Sequence, residues 1–166
     1  MTEPAPVQYE YKKPYFWIAV WFGCGLSPKA PGTIGSLGAL PLAILAFIYG
    51  GLLPSIIGLL IVTIIGYAAS VRFEQATDTH DSKMIVVDEV VGQWISLLPV
   101  FIYFGLNPIM IALSFLLFRF FDVLKPWPVS FFDQKVGGAV GVMADDVVAG
   151  IMAALLITGA YYAGLG

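Results

Sequence analysis

Three stretches of this chain carry no charged side chain: residues 30–71, 90–118 and 147–166. Their lengths, 42, 29 and 20 residues, constrain the fold more than any other feature. A helix needs about 20 residues to cross ~30 Å of hydrocarbon, so these stretches offer room for two crossings, two shorter crossings and one. Gly50, Gly51 and Pro54 break the first stretch, and Gly105, Asn107 and Pro108 break the second. Five crossings follow, at about 36–50, 52–71, 86–104, 107–124 and 146–164. Composition agrees: 59% of residues are hydrophobic and 11% charged, against roughly 25% charged in a soluble domain. A mean hydropathy of +0.88 leaves too little polar surface to coat a water-soluble globule.

Threading five helices in alternating directions puts the uncharged turns near residues 51 and 106, and the C-terminus, on one side. The N-terminal arm and residues 72–89 and 119–146 fall on the other. Every Lys and Arg then lies on or near that second side, as do all eleven acidic residues and His80. The positive-inside rule makes this side the cytoplasm. The run from Tyr15 to Leu26 is apolar but too short to span, and Trp17 and Trp21 suit the headgroup level. It reads as a re-entrant or interfacial segment. The expected fold is therefore an all-α integral membrane protein with about five transmembrane helices plus that segment. Residues 1–14 form a short cytoplasmic arm rather than a signal peptide, and residues 15–166 a single membrane-embedded domain. A net charge of −3 argues against a nucleic-acid partner. Cys24, the sole cysteine, allows no intramolecular disulfide, and no arginine six residues on completes a cysteine-phosphatase loop. It is read as packing.

Two crossings work only if they carry charges into the membrane. From Val90 to Phe104 there are 15 residues, roughly 22 Å of helix, so the span recruits Asp88 and Glu89. In the fourth helix Arg119, Asp122 and Lys125 recur at i, i+3 and i+6, the first two on one face. The fifth is expected to open with Asp145-Asp146, facing the positive end of a helix dipole. Ionisable residues at membrane depth are costly and by default mark a functional site. The plainer reading makes Arg119–Asp122 an ordinary pair and the acidic pairs interfacial ends. Asp88, Glu89, Asp122, Asp145 and Asp146 meeting at one interface would repel unless protonated or bound to a cation. All-oxygen ligation suits a hard divalent ion, Mg²⁺ above all. Arg119, Lys125 and Lys29 supply positive charge for a phosphate. A cation-coupled transporter could use the same carboxylates, and a non-catalytic subunit could pair them with a partner helix. Against the transporter, no repeated halves and no polar pathway are visible.

Ser27-Pro28-Lys29-Ala30-Pro31-Gly32-Thr33-Ile34-Gly35-Ser36 precedes the first full crossing. Thr33 and Ser36 can cap the helix, and helix N-termini of this kind bind anions. A capped helix start with a small-residue packing face is the plainer alternative. His80, the lone histidine, is either a solvated loop residue or a proton donor or ligand beside the acidic cluster.

Four blocks together resemble the phosphatidylglycerophosphatase A family of bacterial membrane enzymes. They are residues 25–36, His80-Asp81 with 85–92, residues 118–128 and residues 137–150, covering about 22 to 152 in the family's order. Cys24 stands where a small serine-like residue is typical, and Gln93 where methionine is; neither touches the polar cluster. The resemblance implies Mg²⁺-dependent hydrolysis of the terminal phosphate of phosphatidylglycerophosphate, a phospholipid in the bilayer, at a cytoplasm-facing site of the inner membrane. It implies metal-binding or water-handling roles for Asp88, Glu89, Asp122, and Asp145 or Asp146. Phosphate binding falls to Arg119 and Lys125, with help from the Thr33–Ser36 helix start. Which carboxylate is nucleophile, base or ligand stays open, as does oligomeric state.

Overall fold

A computed structural model describes residues 9–79 and 82–164, and among these all regular structure is helical. The N-terminal segment forms α1 (Pro14–Ala19) and a 3-10 turn (Trp21–Leu26), broken at Phe22 and Gly23, where φ is positive. Neither piece is long enough to span. The segment lies against the bundle, where Phe16 stacks on Phe73 at 5.7 Å and the Trp21 indole donates to the Gly38 carbonyl at 2.9 Å.

The five expected helices are all present: α2 (Pro31–Gly50), α3 (Leu52–Thr77), α4 (Val87–Tyr103), α5 (Pro108–Leu124) and α7 (Gly138–Tyr162). A short α6 (Val129–Lys135) lies between the last two. Pro31 and Pro108 occupy first-turn positions, where a missing N–H costs nothing, and Asn107 caps α5 by accepting from the Ile109 and Met110 amides. Gly51, at φ +73°, makes the tight link from α2 to α3. Three helices, α2, α3 and α7, are long and apolar enough to cross a membrane. α4 and α5 have 17 residues each, ~26 Å, at the short end of the spanning range.

Bounds differ from the sequence expectation in ways that matter. α2 begins at Pro31 rather than 36, and Ala30 adopts a left-handed N-cap without a side-chain cap. Neither Thr33 nor Ser36 caps it; Ser36 Oγ donates to the Gly32 carbonyl at 2.8 Å, one turn back. α7 begins at Gly138 rather than 146. Residues 138–144 continue the helix, so Asp145 and Asp146 sit two turns inside it, away from its dipole end.

α4 is the central helix. Val87, Val90, Val91, Trp94, Leu97 and Val100 are buried along it, and the Trp94 indole donates to Ser55 Oγ at 3.0 Å. Its closest neighbour is α7. At their crossing a side chain on Gly150 would strike the Gly92 backbone, so only glycine permits this approach. Leucines and isoleucines such as Leu53, Leu60, Ile64 and Leu155 point outward, which suits lipid rather than water.

Candidate active site

The starts of α2, α4 and α7 and the ends of α3 and α5 converge at one end of the bundle. There a pocket of about 530 Å³ opens, within the range of small-molecule sites. α4 contributes Asp88 and Glu89 in its first turn, with the Glu89 amide donating to Asp88 Oδ1 at 2.9 Å. α5 contributes Arg119 and Asp122 as an ion pair one turn apart, as the spacing predicts. α7 contributes Asp145 and Asp146, both buried. All six side chains line the pocket, as do Thr33 and Lys125.

Arg119 Nη1 also donates to Ser36 Oγ at 3.3 Å, so Ser36 supports the arginine rather than lining the cavity. Gly32 lies where a side chain would collide with the Glu89 carboxylate and crowd the Arg119 guanidinium. This glycine keeps the α2 end of the pocket open.

Lys125 departs from the helical geometry that put it near Asp122. It terminates α5 in a left-handed conformation, and its ammonium bonds Asp145 Oδ2 at 2.7 Å and Asp133 Oδ1 of α6. Partial burial works against its charge, but the two carboxylates outweigh that effect and hold its pKa above the usual lysine range. Asp133 and Lys83, which the sequence reading did not single out, line the pocket as well. Both belong to the polar segments at this end, and that membership was their only sequence signal. Lys29 is exposed and lies outside the lining residues. His80 and Asp81 lie outside the described residues.

The donor set fits a hard cation. Oxygens of Asp88, Glu89 and Asp146 lie within 4.8 Å of one another, close to the ~4.2 Å that opposite ligands of a Mg²⁺ ion with ~2.1 Å bonds require. Among the described residues, Glu89 Oε2, Asp145 Oδ1 and Asp146 Oδ1 are buried without a hydrogen-bond partner. Buried carboxylate oxygens are costly unless something positive satisfies them.

Fold and site together define a helical membrane protein with an acidic, cation-ready pocket at one end of its bundle. The model of the family described as phosphatidylglycerophosphatase A matches residues 17–161. The chain is 37% identical to phosphatidylglycerophosphatase A of Escherichia coli (strain K12) over 151 residues, 90% of this chain and 85% of that protein. It is 35% identical to phosphatidylglycerophosphatase A of Haemophilus influenzae (strain ATCC 51907 / DSM 11121 / KW20 / Rd) over 163 residues, 98% of each chain. A relative in Bacteroides thetaiotaomicron, provisionally named phosphatidylinositol-3-phosphatase, is 39% identical over 88% of this chain and 94% of its own. No solved structure matches. The chain belongs to the phosphatidylglycerophosphatase A family and is a phosphatase. Nothing in that membership supports a transporter.

Proposed function

We propose that the chain hydrolyses the terminal phosphate monoester of phosphatidylglycerophosphate, giving phosphatidylglycerol and inorganic phosphate. The reaction depends on Mg²⁺ and takes place at the cytoplasmic face of a bacterial inner membrane. The observation that carries this reading is the convergence of six carboxylates, Arg119 and Lys125 on one pocket at the charged end of the bundle. The names of the Escherichia coli and Haemophilus influenzae relatives favour this headgroup, and the third relative's name suggests that headgroups vary among similar chains. All five long helices cross the bilayer in this reading. The end carrying every Lys and Arg faces the cytoplasm.

Asp88, Glu89 and Asp146 would hold Mg²⁺, with Asp122 and Asp145 beside them. When bound, the ion neutralises phosphate oxygens and makes a bound water more acidic. The protein's own groups account for the rest. The Arg119 guanidinium presents a planar fork to two phosphoryl oxygens, and Asp122 and Ser36 fix its orientation. Lys125, held by Asp133 and Asp145, places a second positive charge at the acidic cluster. A water oxygen attacks phosphorus and loses its proton to a pocket carboxylate. The phosphorus–ester oxygen bond breaks, and the leaving alcohol takes up a proton. Lys83, exposed and in no ion pair among the described residues, is available for the diester phosphate of the same headgroup.

Purified protein in mild detergent, supplied with phosphatidylglycerophosphate, should release inorganic phosphate with Mg²⁺ and stop in excess EDTA. If folded protein releases none with any of several divalent ions, this assignment is wrong.

A further inference from the structure

A second cavity, of about 470 Å³, lies on the opposite face of α7 from the carboxylates, between α3, α6 and α7. Its walls are almost wholly carbon, with Ile64 and Tyr67 from α3, Phe132 from α6, and Val140, Ala144 and Val148 from α7. From Val140 to Val148 it runs about 12 Å along α7, toward the middle of the bilayer. A third hollow, lined also by Glu74 and Asp78, lies between it and the polar pocket. That hollow shares Tyr67 and Val140 with the apolar groove, and Gly137 and Gly138 with the carboxylate pocket. The three adjoin one another around the start of α7.

We propose that this groove holds an acyl chain of the lipid substrate, whose headgroup crosses the α7 start at Gly137 and Gly138 to reach the carboxylates. The proposal rests on the lipid phosphatase reading given above. Three observations support it. The path is apolar at its bilayer end and acidic at its other end, the polarity order of a phospholipid entering a cation-loaded site. The crossing point is bare: a side chain built on either glycine would meet nothing within 4 Å among the described residues. The headgroup therefore passes over a backbone cylinder of ~2.3 Å radius instead of a full helix with side chains. Finally, the groove opens sideways to lipid, since Ile64 and Val140 on its rim are 69% and 52% exposed. Substrate can enter from the membrane without its chains crossing water.

The test compares phosphate release from long-chain and six-carbon-chain phosphatidylglycerophosphate by the full-length protein and by Ile64→Trp and Val140→Trp. Both positions are exposed, so the larger side chain fills the groove without burying a misfit in the core. Each variant should lose about tenfold or more in kcat/KM for the long-chain lipid and keep its short-chain value, because apolar pockets discriminate on this scale. Gly137→Phe, placed on the bare crossing at an ordinary φ of −90°, should impair the long-chain lipid too. Equal effects of Ile64→Trp and Val140→Trp on both lipids, or none, would overturn the proposal. So would a change in oligomeric state with Ile64→Trp, which would make the groove a contact between copies of the chain. Wild-type protein inactive on both lipids would instead overturn the substrate assignment itself, and this proposal with it.

Discussion

The crossing of α4 and α7 is the most demanding joint in this fold, and Gly150→Ala should test whether it sets the chemistry. A Cβ at residue 150 would press into the Gly92 carbonyl oxygen and stand 3.0 Å from both the Gly92 carbonyl carbon and Cα. Both sides of this contact are backbone, so no side chain can rotate away. Ordinary contact begins near 3.4 Å, so the helices must part by about 1 Å. One turn above, the same helices carry Asp88 and Glu89 on one side and Asp146 on the other. Metal–ligand distances tolerate only ~0.2 Å, and a misplacement of ~1 Å can cost about 10²-fold in rate. Gly150→Ala should therefore lower kcat by about 10²-fold and raise the Mg²⁺ concentration for half-maximal activity. Overpacking should cost only ~1–3 kcal/mol in stability. Gly159→Ala is the internal control: it lies on the same helix with nothing within 4 Å among the described residues, so it should be neutral or gain up to ~1 kcal/mol. Phosphate release titrated with Mg²⁺, beside thermal unfolding in detergent, reads both effects. Full activity of Gly150→Ala at an unchanged Mg²⁺ requirement would refute the argument that this contact sets the carboxylate spacing.

Three further outcomes follow from the site. Asp122→Asn keeps shape but frees Arg119 from its ion pair, and should cut phosphate release by at least ~10²-fold with near-normal membrane levels; loss of the protein from the membrane would point to a structural role instead. Lys125→Met removes charge-assisted bonds to Asp133 and Asp145 and should lower kcat/KM roughly tenfold to a hundredfold, read from initial rates. Because the folded protein holds the Lys125 pKa above the unfolded value of ~10.4, its stabilisation is complete below that pH and fades only above it. Alkaline unfolding below pH ~10 that vanishes in Lys125→Met would contradict this pairing. Lys83→Ala should raise KM for phosphatidylglycerophosphate while sparing phosphatidic acid, which lacks the second phosphate; equal effects on the two lipids would remove Lys83 from headgroup recognition.

The long helices were legible because lipid tolerates neither charge nor unpaired backbone, so an uncharged run bounded by Gly and Pro has few other fates. The site was legible for the converse reason. Asp88, Glu89, Arg119, Asp122, Asp145 and Asp146 interrupt apolar helices, and at that depth a charge needs a partner. Local geometry was less visible. Residues 137–144 look like a loop because three glycines lower helix propensity, yet α7 runs through 138–144 with Ala139, Gly141 and Met143 buried, and Asp145 and Asp146 lie away from its end. Lys125 looks like the next step of the α5 face, but a left-handed turn sends its ammonium to Asp133 and Asp145 instead. Ser36 looks like a cap and serves as a support for Arg119.

These departures share a cause that no single segment contains. Charge spacing along one helix fixes which residues share its face, but it says nothing of how closely a second helix can approach. Here that distance is set a turn below the carboxylates, at Gly92 and Gly150, by two residues without chemistry of their own. Asp88 and Glu89 lie 57 residues or more from Asp146 in the chain, and it is the bare backbone between α4 and α7 that brings their oxygens within reach of one ion. The acidic residues supply the oxygens, and the glycines beneath them supply the spacing.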